Sequence, residues 1–246
     1  MKNKADIEIM RKAGRIVGQT LDMIGKHIKP GVTTQQLNML VEDFILSKGA
    51  IPAFKNYHGF PASACISIDD EVVHGIPCDR KLKEGEIVSV DVGTIIDGFY
   101  GDGAKTFPVG KISEDKKRLL ELTQKCLEAG IEQARPGNRL GAISAAVQKV
   151  AESNGLGVVR QLVGHGIGRE MHEEPQVPNF GLATEGPVLK AGMVLAIEPM
   201  INAGTYDVKT MPDGWTVVTA DGRPSAHFEH TVAITDDEPD ILTLSN

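Results

Sequence analysis

The chain has 246 residues, of which 41% are hydrophobic and 24% are charged, a composition typical of a globular protein with a sizeable core. Its 26 basic and 33 acidic residues give a net charge of −7, which excludes the basic surface of a general nucleic-acid-binding protein. No run of about 18 apolar residues occurs, so no membrane span is predicted.

The cysteines indicate a reducing compartment. Cys65, Cys78 and Cys126 are odd in number and form no C-x-x-C pair, so we expect neither a disulfide framework nor a thiolate zinc site. The N-terminal residues form an amphipathic pattern at once and lack the apolar stretch of a signal peptide. We therefore predict a cytoplasmic protein.

The first elements in chain order are two helices. Apolar residues recur at three- and four-residue spacing over 9–28, and Pro30-Gly31 is expected to end this helix. A second helix is predicted to begin after Thr33 or Thr34 as N-cap and to stop at Gly49.

Strands follow, and the whole pattern then starts again. Alternating segments at 63–68 and 86–93 predict strands. A third helix is predicted from Ser113 to Arg135-Pro136-Gly137, and a fourth stops at Gly155. The helix-end tripeptide Lys-Pro-Gly or Arg-Pro-Gly thus recurs after 106 residues.

The strands repeat as well. The segment 82–91 aligns with 189–198 at an offset of 107 residues. A shared offset across two helices and a strand predicts an internal duplication, with halves at about 1–110 and 111–246. We expect one catalytic domain of α+β class, made of two pseudo-symmetric helix–helix–sheet halves.

This repeat aligns acidic residues. Asp91 and Glu198 occupy equivalent strand positions, and inward carboxylates on pseudo-symmetric strands should face each other. Each has a downstream acidic partner, Asp102 and Glu229 respectively. These partners differ by 127 residues, so we expect about 20 additional residues in the second half, within 206–223.

Four carboxylates in one core cannot all stay ionised and unpaired, because a buried bare charge is too costly. Either several are protonated or cations neutralise them. His165 lies among glycines that permit close backbone approach to a ligand. Two Asp, two Glu and one His suit a pair of divalent cations, with Mn, Fe, Co or Zn favoured over Cu.

Seven short motifs in order carry a resemblance to a known family. They are NYHGFP at 56–61, VVHGIP at 72–77, SVDVG at 89–93, GDGAKTF at 101–107, GHGIG at 164–168, AIEPM at 196–200 and FEHT at 228–231. Together they resemble type I methionine aminopeptidase over essentially the whole chain. The resemblance implies the pita-bread fold, with two pseudo-symmetric halves around a central antiparallel sheet, and removal of initiator methionine when the next residue is small.

The resemblance also implies a metal centre of two ions, of Co, Mn, Fe or Zn. Asp102 and Glu229 would bridge both ions, Asp91 would serve one, and His165 and Glu198 the other. A hydroxide held between the ions would attack the first peptide bond. The short interval from Glu198 to Glu229 leaves no room for the helical insertion of the type II enzymes.

Further site residues follow from the same resemblance. His172 would stabilise the oxyanion, Glu198 would transfer a proton, and His74 would contact the amide nitrogen. The predicted lining of the substrate pocket is Tyr57, Phe60, Cys65, His74, Met171, His172 and Trp215. Phe54, Phe60 and Met171 depart from the residues common in the family, which affects pocket shape rather than chemistry.

The expected partner is the N-terminal methionine of nascent polypeptides, with transient ribosome contact, no specific nucleic acid, no membrane and a monomeric state. Three alternatives stay open. The chain could be an X-prolyl aminopeptidase on the same fold, a catalytically inactive peptide-binding member, or a protein with a purely structural cation site. Retention of all five ligands argues against the second, and His74 and His172 argue against the third.

Overall fold

A computed structural model describes residues 1–246. The first half contains helices α1 (Lys4–Gly25) and α2 (Thr34–Ser47) and strands β1 (Ile51–Pro52), β2 (Cys65–Ile68), β3 (Glu71–Val73), β4 (Ile87–Ile96) and β5 (Phe99–Pro108). The second half contains helices α3 (Glu114–Glu132) and α4 (Gly141–Glu152). Its strands are β6 (Gly157–Val158), β7 (Gly164–Gly166), β8 (Glu173–Val177), β9 (Val194–Ile197), β10 (Met200–Asn202), β11 (Val208–Thr210), β12 (Val217–Thr219), β13 (Ser225–His227), β14 (His230–Ala233) and β15 (Asp240–Ile241).

The four predicted helices are present, but the first and third end earlier than predicted. α1 ends at Gly25 and not at Pro30, because the chain leaves the helix so that Gly31 can bond to Leu82. Ile28 still packs against the core from this loop. α2 begins as predicted after Thr33, whose side chain accepts from Gln36 N in a capping box.

All strand pairings are antiparallel. β4 lies inside a four-stranded sheet, between β1 and β2 on one edge and β5 on the other. In the second half, β9 lies inside a five-stranded sheet of order β15-β14-β9-β7-β8. Two smaller sheets complete the fold, of order β13-β10-β6 and β11-β12-β3. Strand β4, which carries Asp91, and strand β9, which ends just before Glu198, are therefore interior strands, which keeps both carboxylates away from open sheet edges.

Each half has its own apolar core beneath its helices. A cluster of 16 buried residues joins α1 and α2 to β2, β4 and β5, and a cluster of 23 joins α3 and α4 to the second set of strands. The helices thus cover the outer faces of the sheets, and the inner faces meet between the halves. No helix has both the length and the apolarity that a membrane crossing requires, and all three cysteines are free.

The repeat seen in the sequence recurs in the backbone hydrogen bonds. Gly31 N donates to Leu82 O at 2.8 Å, and Gly137 N donates to Leu189 O at 3.0 Å. Both glycines have φ of +90°, a conformation that a residue with a Cβ rarely adopts. These matched bonds place the loop after the first helix of each half against the segment that leads into the central strand.

The strand register shows how the hairpins of the two halves correspond. Ser89 of β4 lies opposite Thr106 of β5, and Ala196 of β9 lies opposite Thr231 of β14. Ser89 and Ala196 are equivalent in the sequence repeat, so Thr106 and Thr231 are equivalent too. The second strands are therefore offset by 125 residues.

This register corrects one sequence prediction. With an offset of 125, Asp102 corresponds to His227 and Ala104 corresponds to Glu229, so the predicted offset of 127 is wrong by two residues. The prediction matched acid to acid, whereas the two hairpins are aligned by the threonines. Asp102 and Glu229 are neighbours across the junction of the halves and not symmetry equivalents.

Candidate metal centre

The predicted site residues line a single cavity of about 180 Å³ between the two halves. Its lining comprises Phe54, Tyr57, His58, Phe60, Cys65, His74, Asp91, Asp102, His165, Met171, His172, Glu198, Trp215 and Glu229. The structure therefore brings together every residue that the sequence indicated for metal binding, catalysis or the substrate pocket.

The five candidate ligands come from both central sheets. Asp91 lies on β4 and Asp102 on its hairpin partner β5. His165 lies on β7, Glu198 directly follows β9, and Glu229 lies between β13 and β14. Three of the five candidate ligands thus lie on strands, and the other two lie within two residues of one.

Hydrogen bonds across the junction fix the two central acids. Glu229 N donates to Ala104 O at 2.9 Å. Asp102 N donates to Thr231 Oγ1 at 3.0 Å, and the same hydroxyl donates to Asp102 O at 2.7 Å. The relative position of Asp102 and Glu229 is therefore set by the backbone and does not depend on their side chains.

The ligand atoms converge. One ligand atom from each of Asp102, His165 and Glu229 lies within 4.8 Å of the others. His165 Nε2 lies 3.5 Å from Glu198 Oε1 and 3.9 Å from Asp102 Oδ2. His165 Nδ1 lies 2.9 Å from Gly166 O, and donation of its proton there leaves the Nε2 lone pair facing the carboxylates.

The electrostatics of the cluster test whether cations fit it. Asp91 Oδ1, Asp102 Oδ1 and Glu229 Oε1 are buried and make no hydrogen bond. Burial raises the pKa of Asp102 to about 7, and burial together with the neighbouring carboxylates raises the pKa of Asp91, Glu198 and Glu229 far above the ordinary range. Divalent cations bind carboxylate oxygens of this kind, because the cations supply the missing partners and offset the repulsion between the carboxylates.

His165 is suited to the same task, because burial and then His172 lower its pKa to about 4. A neutral imidazole keeps a lone pair for a metal ion. The residues present therefore fit a divalent metal centre of oxygen and nitrogen ligands.

Two of the three other histidines that line the cavity are the predicted site residues His172 and His74. The ring of His172 lies 4.4 Å from that of His165 between centroids, and His172 Nδ1 lies 2.8 Å from the Tyr57 hydroxyl. His74 lies opposite, with its ring centroid 6.5 Å from that of Trp215. Burial lowers the pKa of both histidines, so they are neutral at pH 7 and each carries one N–H donor.

An apolar pocket adjoins the acidic cluster. Phe54, Phe60, Cys65 and Met171 belong to one buried cluster, against which Trp215 packs. The Phe60 and Trp215 rings meet edge to face at 5.2 Å. Trp215 comes from the segment that the sequence repeat marked as additional, and β12 in that segment pairs with β3 of the first half. The insertion thus completes the pocket wall from across the junction.

Sequence reasoning missed His227. Its side chain is 1% exposed, neither ring nitrogen makes a hydrogen bond, and Nε2 lies 3.7 Å from Glu198 Oε2 and 4.0 Å from Glu229 Oε2. Burial lowers the pKa of His227 to about 3. The alignment of DGAKT at 102–106 with HFEHT at 227–231 would have revealed it as the counterpart of Asp102.

Comparison with known proteins agrees with this geometry. The sequence profile of Metallopeptidase family M24 matches residues 8–236. The chain belongs to this family. The M24 chain is 54% identical to the methionine aminopeptidase of Clostridium perfringens over 99% of its own length and 98% of that protein.

Solved structures agree with the M24 assignment and confirm the predicted pita-bread fold. The crystal structure of methionine aminopeptidase from Rickettsia prowazekii superposes with a TM-score of 0.98 at 48% identity and covers 99% of both chains. The prolidase from Pyrococcus horikoshii superposes with a TM-score of 0.80 at 22% identity, over 64% of that chain, which shows a shared fold alone.

Proposed function

We propose that this M24 metallopeptidase is a methionine aminopeptidase, which removes the initiator methionine from nascent proteins when the next residue is small. One observation carries the proposal. The acidic cluster and an apolar pocket lined by aromatic and sulfur-containing residues share a single cavity. Relatives named methionine aminopeptidase, about half identical over almost the full chain, support the same activity.

Two divalent ions are part of the proposal, with Co, Mn, Fe or Zn as candidates. Their proposed ligands are Asp91, Asp102, His165, Glu198 and Glu229. Four carboxylates and one neutral imidazole carry a charge of about −4 when ionised, which two dications balance. Ions bound there would polarise the scissile carbonyl and lower the pKa of an attacking water.

The chain's own groups supply the remaining chemistry. His172 donates a hydrogen bond to the oxyanion of the tetrahedral intermediate. When the Tyr57 hydroxyl donates to His172 Nδ1, the ring proton is held on Nε2, so that nitrogen is the donor. Glu198 accepts a proton from the attacking water and delivers it to the leaving nitrogen, and His74 contacts the amide side of the scissile bond.

The apolar pocket determines which side chain is accepted. Tyr57, Phe60, Cys65, Met171 and Trp215 surround it. A thioether makes favourable contacts with aromatic ring edges and adapts to irregular walls, so methionine fits this lining better than a charged or β-branched residue does.

The setting of the enzyme belongs to the same proposal. The two halves, about 1–110 and 111–246, form one catalytic domain that arose by duplication, which the matched backbone bonds of Gly31 and Gly137 support. We expect a cytoplasmic monomer that meets its substrates at the ribosome. Specific nucleic-acid binding and membrane binding are not part of the proposed function.

The deciding experiment measures bound metal and cleavage of a Met-Ala-Ser peptide together, with an Ala-Pro peptide as the competing substrate. Asp102→Ala and Glu229→Ala should abolish turnover while the protein stays folded. His172→Ala should lower kcat but leave the metal content unchanged. Asp22→Ala, an exposed site on α1, is the matched control and should behave as wild type.

Cleavage of Ala-Pro in preference to Met-Ala-Ser would refute the substrate assignment. Near-native turnover by Asp102→Ala or Glu229→Ala would refute the metal-centre assignment.

A further inference from the structure

His227 is held rigidly with its ring beside the metal-facing carboxylates. Its backbone N donates to Thr106 Oγ1 at 2.9 Å, and Thr106 Oγ1 donates to His227 O at 2.8 Å. Ser89 Oγ lies 2.8 Å from the same hydroxyl, so the hydroxyl is itself fixed. The strand pairing of His227 with Met200 adds a further restraint, and the imidazole has little freedom to turn away.

The surroundings of the ring argue against a packing role. Both ring nitrogens are buried without a hydrogen bond, and leaving a buried polar group unsatisfied has a cost in stability. An apolar side chain of similar size would fill the space without that cost. The acceptors near Nε2 are Glu198 Oε2 and Glu229 Oε2, at 3.7 Å and 4.0 Å.

The two carboxylate oxygens of Glu198 face two different imidazoles. Its Oε1 lies 3.5 Å from His165 Nε2, and its Oε2 lies 3.7 Å from His227 Nε2. His165 Nε2 has a free lone pair, because Nδ1 of that ring is committed to Gly166 O. A hydrogen-bond donor at Glu198 Oε2 would therefore hold the carboxylate so that its Oε1 faces the same point as the lone pair of His165 Nε2.

The pseudo-symmetry of the two hairpins explains why position 227 carries a histidine and not an acid. Asp91 and Asp102 are neighbours on the first hairpin, and their counterparts on the second hairpin are Glu198 and His227. An acid at position 227 would add a fifth carboxylate to a cluster whose four charges two divalent ions already balance. An imidazole there supplies a hydrogen-bond donor with no added negative charge.

From this geometry we propose that His227 is a positioning residue that donates from Nε2 to Glu198 Oε2 and so orients Glu198 for metal binding. This inference rests on the proposed metal centre. The separation of 3.7 Å is longer than a hydrogen bond, so the proposal includes a shortening of this contact when a divalent ion is bound. Partners that orient metal ligands typically change metal affinity or activity 10- to 100-fold.

Three substitutions test which nitrogen acts. The amide of His227→Gln reaches the position of Nε2, the amide of His227→Asn reaches only that of Nδ1, and His227→Leu has no donor. Co²⁺ affinity is measured by calorimetry on chelator-treated protein, and the visible spectrum of the bound Co²⁺ reports the ligand geometry. Unfolding of the metal-free proteins is measured in parallel.

We expect Co²⁺ affinity to fall about 10- to 100-fold in the Leu and Asn variants and to stay within about tenfold of wild type in the Gln variant. The metal-free Leu variant should be at least as stable as wild type, because it removes two unsatisfied buried polar atoms. A merely structural histidine would give the opposite stability result.

Several outcomes would overturn the inference. Wild-type Co²⁺ affinity and spectrum in the Leu variant would exclude a positioning role. Complete loss of one Co²⁺ equivalent in the Leu and Gln variants alike would make His227 a direct ligand. Failure of wild type itself to bind Co²⁺ would instead refute the proposed metal centre, so the two failures are distinguishable.

Discussion

The buried carboxylates should make the metal-free protein less stable as the pH rises, and Asp102→Asn should remove part of this effect. Burial raises the pKa of Asp102 from its ordinary 3.8 to about 7. Between these two pKa values the Asp102 carboxyl holds a proton in the folded state but has released it in the unfolded state. The free energy of unfolding therefore falls as the pH rises from about 4 to about 7.

The size of the effect follows from that interval. One pKa unit corresponds to about 1.4 kcal/mol. The rise in the pKa of Asp102 from 3.8 to about 7 therefore sets an upper limit of about 4 kcal/mol on the unfolding free energy that its titration removes. Asp102 helps to raise the pKa of Asp91, Glu198 and Glu229, so Asp102→Asn also changes the ionisation of these neighbours and recovers only part of this limit. We expect Asp102→Asn to gain at least about 2 kcal/mol over wild type between pH 4 and pH 7.5.

The assay is urea unfolding of chelator-treated protein from pH 4 to pH 8, with Asp22→Asn as an exposed control. Histidines with lowered pKa, such as His165, contribute the opposite slope below pH 6.5, and the comparison between the two proteins removes the part of this slope that comes from histidines away from Asp102. With excess Co²⁺, wild type should become the more stable of the two proteins, because Asp102→Asn lacks one of the proposed metal ligands. A pH-independent difference between the metal-free proteins would refute the argument that burial keeps Asp102 protonated.

Two further substitutions probe groups that hold the site in shape. Tyr57→Phe removes the hydroxyl beside His172 Nδ1 and should lower kcat about tenfold, with unchanged metal content. This effect is smaller than that expected for loss of an oxyanion donor. An unaltered kcat would show that Tyr57 does not fix the His172 ring. Thr231→Val removes both bonds to the Asp102 backbone and should destabilise the protein by about 1–3 kcal/mol in urea unfolding. Thr231→Ser keeps the hydroxyl and should retain most of the stability, and equal losses in both variants would show that the two hydrogen bonds do not account for the loss in Thr231→Val.

The sequence was sufficient to predict the duplicated α+β fold because helix caps and strand openings are local signals. Thr33 and the glycines at 31 and 137 act within a few residues of their own position, so their roles are readable from the chain. The end of α1 was not readable, since it depends on the bond from Gly31 to Leu82, which lies about 50 residues further along the chain.

The candidate site could be predicted where the chemistry of a residue type is distinctive. Clustered acids and a glycine-flanked histidine suggest cations before any contact is known. His227 lacked such a signal, because a histidine beside a phenylalanine in a strand is usually a core residue. Its relation to Asp102 depends on a register of 125 residues, and the acid-to-acid match at 127 obscured that register.

The corrected register also explains why the candidate ligands are not placed symmetrically on the two hairpins. A strict two-fold copy would place identical ligands on both hairpins and give two equivalent half-sites. Here the counterpart of Asp102 is His227 and the counterpart of Glu229 is Ala104, so each hairpin contributes one of these two acids at a different depth. The Ala104 carbonyl instead accepts the backbone bond of Glu229, which holds the two halves together at the point where their acids meet. The unequal placement of the candidate ligands on the two hairpins is thus built into the strand register.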